Sequence, residues 1–277
     1  MRIAEHFQQR TSTTFQEDPL FKSVNQIYEA LYSKSDLQMP PVHVGAFMFR
    51  DVFLPIRIPI IYGRPAINPI DFLIDVPELQ KRWMFSDKNS SLAYYDQVID
   101  LMDFVYGIDD LDKTGKLPAK ALEWWNLAKI QLEAAAATVL GSFNKYAVTQ
   151  NCCISVELVL KGALRAKGID ETVLKDSNKG YGHNLENLVE KAFQELPNLD
   201  REVMLFVVKQ LPIYVKTRYE ALSFSRLELG KFLMNAQYIG GEILRQFSDR
   251  NHRAAFNNTS DDTLDFTHRT FPKNKVI

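Results

Sequence analysis

Along residues 146–166 apolar side chains occupy nearly the whole circumference of a helix. Val148, Cys152, Ile154, Val156, Leu158, Val159, Leu160, Ala163 and Leu164 leave it almost no polar face. A helix of that kind must be surrounded by other elements, because it has no side to offer to water. The flanking sequence supplies them. Apolar residues return at helical spacing over about 119–140, at Leu185, Leu188, Val189, Ala192 and Phe193, and over about 200–216. They do so again over about 223–247, where Leu227, Phe232, Leu233, Ile239, Ile243 and Phe247 are expected inward. Gly141-Ser142, Gly168 and Pro197 punctuate these runs. Five helices are therefore predicted between residues 119 and 248.

The N-terminal part reads differently. Asp18 followed by Pro19 is a helix start, and Leu20, Val24, Ile27, Tyr28 and Leu31 follow at helical spacing. From Val52 to Ile60 the even positions are all apolar while Pro55, Arg57 and Pro59 fall on odd ones, which predicts an edge strand with one buried face. Residues 69–75 are the expected partner strand. Leu92, Val98, Ile99, Met102 and Val105 predict a further helix that Gly107 would end. The polar, turn-rich stretch 108–118 then marks a boundary. The expected organisation is an α+β region with a short sheet over 1–118, a helical domain over 119–248, and a loosely ordered tail over 249–277, where helical periodicity is lost.

Composition narrows the function classes. With 46% apolar residues in 277 the chain can build real cores, so bulk disorder is excluded. Basic and acidic side chains number 33 and 34, which argues against a protein built mainly to coat nucleic acid. The segment 119–248 carries 16 basic and 14 acidic groups, enough to allow a local basic patch. No apolar run is long enough to suggest a membrane span, and the first ten residues lack the core of a signal peptide. The adjacent Cys152 and Cys153 form no disulfide framework and have no companions for zinc, which fits a reducing cytoplasm. No phosphate loop, dinucleotide fingerprint or nucleophile elbow is present, so no cofactor is expected.

Four segments, in order, carry a resemblance. These are the Trp/Ala-rich EWWNLAKIQLEAAAATVL at 123–140 with its GSFNKY turn, SVELVLKGALRAKG at 155–168, GHNLENLVEKA at 182–192, and YVKTRYEA at 214–221. Together they resemble the HEPN superfamily, the higher eukaryote and prokaryote nucleotide-binding domains. The resemblance implies a mostly α protein with an up-down helical bundle over 119–248, pairing into homodimers and acting on or near RNA. A defence or toxin–antitoxin setting is part of that implication. Catalytic members resemble metal-independent ribonucleases that use an Arg and, after four to six intervening residues, a His. Here Arg218 stands at the arginine position, but Ser223, Phe224 and Ser225 stand where the His is required. Arg245 and His252 have the spacing but lie at the end of the last helix. No catalytic residue is therefore expected. The reading is a non-catalytic RNA- or nucleotide-binding protein, with a degenerate-motif endoribonuclease and a protein-interaction or dimerisation scaffold as alternatives.

The expected ligand-binding residues are Glu157, Lys161, His183, Arg218 and Tyr219. Glu157 and Lys161 stand one turn apart in the order that favours a helical ion pair; alternatively Lys161 binds phosphate in a cleft. His183 opens a helix, where it or the adjacent amide would cap free N–H groups or meet an anion. Arg218 beside Tyr219 suits a phosphate clamp with a stacking ring, or else a helix-start ion pair. Trp124-Trp125 read as dimer or interdomain packing, and Asp109, Asp110 and Asp112 as a solvated acidic loop. A protein partner, if there is one, would dock on the N-terminal region.

Overall fold

The computed structural model describes residues 19–31, 40–61, 68–177, 181–213, 223–257 and 269–273. The chain divides into two units, Met1–Pro41 and Val42–Ile277. In the first, helix α1 (Pro19–Leu31) starts on its proline as expected and exposes Leu20, Ile27, Tyr28 and Leu31.

The second unit opens with an antiparallel hairpin, β1 (His43–Phe49) and β2 (Val52–Ile58), in register from His43↔Ile58 to Phe49↔Val52. Arg50, at a positive φ of 58°, turns the chain between them. Leu54, Ile56 and Ile58 are buried, as the alternation predicts. The partner strand is not 69–75, however, where the chain makes a single 3-10 turn over Pro69–Phe72 capped by Asn68. The true partner, β1, is apolar on both faces, so it shows no alternation to read. Its free edge is closed by side chains. Gln237 Oε1 accepts from Ala46 N at 3.0 Å, Gln237 Nε2 donates to Ala46 O at 3.0 Å, and Glu133 accepts from Val44 N at 3.1 Å.

Helices follow: α2 (Glu78–Ser86), α3 (Lys88–Thr114), α4 (Ala119–Leu140), α5 (Lys145–Ala166), α6 (Glu171–Lys175), α7 (Leu185–Glu195), α8 (Arg201–Lys209), α9 (Arg226–Leu244) and α10 (His252–Asn257). The molecule is mostly α with a small two-stranded sheet near its N-terminus, as the sequence predicts. The apolar α5 lies at the centre, packed on α4, α7 and α9. Asn144 caps it by accepting from Tyr146 N and Ala147 N, and a full capping box between Ser225 and Glu228 starts α9. Among the described residues no helix is long and apolar enough to cross a membrane.

Several expectations need correction. Gly107 does not end a helix: α3 continues to Thr114 and stops at Gly115, which adopts the left-handed conformation (φ 61°). Gly107 instead faces Leu244 and Ser248. The expected boundary at 108–118 falls within one compact unit, because α3 packs along α9 and β1 packs on α4. Asp109 and Asp110 belong to helix α3, not a loop, and pair with Lys113 and Arg250. Leu227, expected inward, is exposed, because α9 has only just begun at that position. Trp125 is fully buried and donates to Val159 O at 3.1 Å, while Trp124 is also buried, so both rings pack within their own unit. The described part of the tail is firmly held, through contacts described below.

Candidate functional site

Helix α5 places Glu157 and Lys161 one turn apart on a face turned toward the start of α7. Lys161 Nζ donates to Glu157 Oε1 at 2.7 Å, with only 6% and 9% of the two side chains exposed. The helical spacing makes this pair almost obligatory, and burial forces it, since a lone buried charge is far costlier than a paired one. The connection from α6 to α7 brings the third residue. Gly182 sits at a positive φ of 33°, and a Cβ there would come 2.5 Å from Ser177 Oγ, so glycine lets this turn close. His183 follows, and its Nδ1 lies 2.9 Å from Glu157 Oε2. Asn184, not His183, caps α7 by accepting from Asn187 N. The imidazole is thereby released from capping, and 52% of it is exposed.

One carboxylate thus holds an ammonium on one oxygen and an imidazole on the other. Within these three residues Lys161 offsets the Glu157 charge, and a protonated His183 adds a positive one. A proton on Nδ1 directed at Glu157 would fix the tautomer and leave Nε2 as the basic nitrogen. Two cavities adjoin Gly182 and His183. One, of about 260 Å³, is also lined by Trp124, Glu157, Lys161 and Lys175. The other, of about 360 Å³, is lined by Ser177, Tyr181, Leu185, Leu211 and Ile213 among others. The arrangement can bind an anion and can move a proton at His183. It supplies no thiol nucleophile, because burial and the neighbouring Glu157 push the Cys153 thiol up to about 12.

Of the five sequence-predicted residues, Glu157, Lys161 and His183 converge; Arg218 and Tyr219 lie outside the described residues.

A larger charged cluster, which sequence reasoning missed, lies elsewhere. Asp96, Asp100 and Asp103 point from one stripe of α3 into the interior. Opposite them α9 crosses closely at Gly241, where a Cβ would come 2.6 Å from Asp100 O. One turn later Arg245 donates to Asp100 at 2.9 Å, Asp103 at 2.8 Å and Glu242 at 2.8 Å. His252 Nδ1 meets Asp103 at 2.6 Å, Arg253 pairs with Asp96, and Arg269 pairs with Asp100 while stacking 4.6 Å over the Tyr238 ring. Asp96 also accepts from the backbone N–H groups of Thr270 and Phe271, at 2.7 and 2.9 Å. Four carboxylates face three guanidiniums and one imidazole.

Burial would raise Asp103, but the His252 hydrogen bond and the Arg245 charge overcome it and hold the carboxyl below its ordinary range. Glu242 is likewise held low, by Arg245 against its own burial. Arg245, buried and bonded to three carboxylates, has no charge left for a ligand. The sequence match between Arg245 and His252 therefore reflects a shared structural partner, Asp103, which ties the chain beyond α9 to α3.

Among the described residues no group of three or more His, Cys, Asp or Glu side chains is arranged to hold a metal ion. No model of a known protein family, no curated protein and no solved structure matches the chain.

Proposed function

We propose that the protein binds RNA or a nucleotide, without cleaving it, at the cleft around Glu157, Lys161 and His183. The observation that carries this reading is the convergence of these three residues, two on α5 and one before α7, beside open cavities. Glu157 orients the group, Lys161 offsets the buried carboxylate, and His183 and Lys175 meet a phosphate at the cleft. The HEPN resemblance adds Arg218 and Tyr219 to the phosphate and base contacts. It also adds a homodimer, a cytoplasmic setting and a role in defence or a toxin–antitoxin pair.

A second reading, a metal-independent endoribonuclease, is favoured by one feature: a carboxylate-oriented imidazole is an acid–base group in waiting. In that reading His183 would take the ribose 2′-OH proton as that oxygen attacks the adjacent phosphorus, while the bond to the next nucleotide's 5′-oxygen breaks and that oxygen takes a proton from water.

The test is incubation of the full-length protein, with its His183→Ala and Arg218→Ala variants, with end-labelled single-stranded RNA in EDTA. Binding and cleavage are resolved together. Retention without cleavage, weakened in both variants, is the expected result. Cleavage by the parent that both variants lose would establish the second reading. Absence of both binding and cleavage would leave a protein-interaction scaffold.

A further inference from the structure

A cavity of about 410 Å³ lies between β1, the start of α3, α8, α9 and the segment 269–273, away from the cleft at His183. Its size falls within the range of small-molecule sites, roughly 300–1,000 Å³. Phe47, Phe206, Met234 and Phe271 give it apolar walls. The wall made by Phe271 is fixed in place, since Asp96 accepts from Thr270 N and Phe271 N while Arg269 is locked on Asp100. The space is thus already formed without a ligand.

Asn89, Ser90, Gln210 and Thr270 also line it, but two other polar features point to a ligand. Asn235 is 1% exposed and lines the cavity, yet its Oδ1 has no hydrogen-bond donor. Its Nδ2 reaches Gln210 Oε1 only at 3.4 Å, a long contact. Buried carbonyl oxygens in native folds almost always have a partner, so this acceptor calls for a donor from the cavity's occupant. One turn earlier on α9, Lys231 lines the same cavity and is exposed, as is Lys273. Asn235 and Lys231 thus stand one turn apart on the same side of α9, an acceptor in the interior and a cation at the solvent side.

We propose that this cavity binds a compact, apolar carboxylic acid, aromatic in the best case, that carries one N–H or O–H donor about one helical turn from its carboxylate. The apolar body fills the space between the aromatic walls, the donor meets Asn235 Oδ1, and the carboxylate faces Lys231 and Lys273. The proposal does not rest on the RNA reading.

Two probes of nearly equal shape separate these terms. Indole-3-acetate has the ring N–H; naphthalene-1-acetate does not. Titration calorimetry on the full-length protein is expected to give 1:1 binding of indole-3-acetate, about tenfold tighter than naphthalene-1-acetate, the usual worth of one buried hydrogen bond. Asn235→Leu should erase that preference. Lys231→Glu, a surface change that leaves the fold intact, should weaken both probes about fivefold. Ala93→Trp, which fills the cavity, should abolish both while thermal unfolding stays cooperative. Failure of the parent to bind either probe would overturn the proposal. Unchanged affinities in Lys231→Glu, or a preference that survives Asn235→Leu, would equally overturn it.

Discussion

Around Asp100 three guanidiniums and an imidazole interlock with four carboxylates, and every Arg245 contact is to a charged oxygen. At Glu157 a single carboxylate carries both Lys161 and His183, and a cavity adjoins them. The residue types are nearly the same in both places, but closure differs. In the first region the charges close on one another and fasten the chain beyond α9 to α3. In the second a half-exposed imidazole remains at a cleft. Burial with full pairing makes an ionic group structural; burial with one exposed member leaves it able to meet a ligand.

Breaking the closed cluster should have the largest effect. Asp100→Ala strips Arg245 and Arg269 of their shared partner, and is expected to cost about 3–5 kcal/mol in urea unfolding. A loss under about 1 kcal/mol would mean that the cluster is not what holds the C-terminal segment. Glu157→Ala should cost somewhat less, about 3 kcal/mol, because it abandons a buried Lys161. The double change Glu157→Gln with Lys161→Met should recover most of that stability. It should not recover RNA binding.

Acid sharpens the contrast further. His43 is wholly buried, and burial lowers it from 6.5 to about 3, so the folded protein keeps it neutral while the unfolded chain takes up a proton. Stability should fall as pH drops below 6.5, by about 2 kcal/mol between pH 6.5 and 5. His43→Leu should flatten that slope in denaturation curves measured at each pH. Asp103 and Glu242 are held low in the fold, so their stabilisation persists down to the ordinary carboxylate range. It is lost only as pH falls through their lowered values, in the parent and in His43→Leu alike.

The two regions were not equally legible in the sequence. Glu157 and Lys161 advertise themselves by helical spacing, and the bounds of α4 follow from its apolar period and the glycine after it. The acids at 96, 100 and 103 also keep helical spacing, on the face that a solvated helix would hide. Their partners stand some 140–170 positions away, Arg245 just past α9 and Arg253 and Arg269 in a stretch without periodicity, so nothing local announces the pairing. Strand β1 was unreadable for a related reason. Both of its faces are covered, and its free edge is satisfied by Gln237, 191 positions away. Arg218 and Tyr219 rest on the resemblance alone.

The smallest stability change should come from His183→Ala, within about 0.5 kcal/mol, since half the ring is in solvent. That makes it the cleanest probe of the cleft. Fluorescence anisotropy of a labelled single-stranded RNA, titrated in EDTA with the parent and with His183→Ala, tests the central claim directly. Binding by the parent, weakened about tenfold in the variant as for the loss of one charge-assisted hydrogen bond, is the result this account predicts. Equal affinity in the two proteins would contradict it.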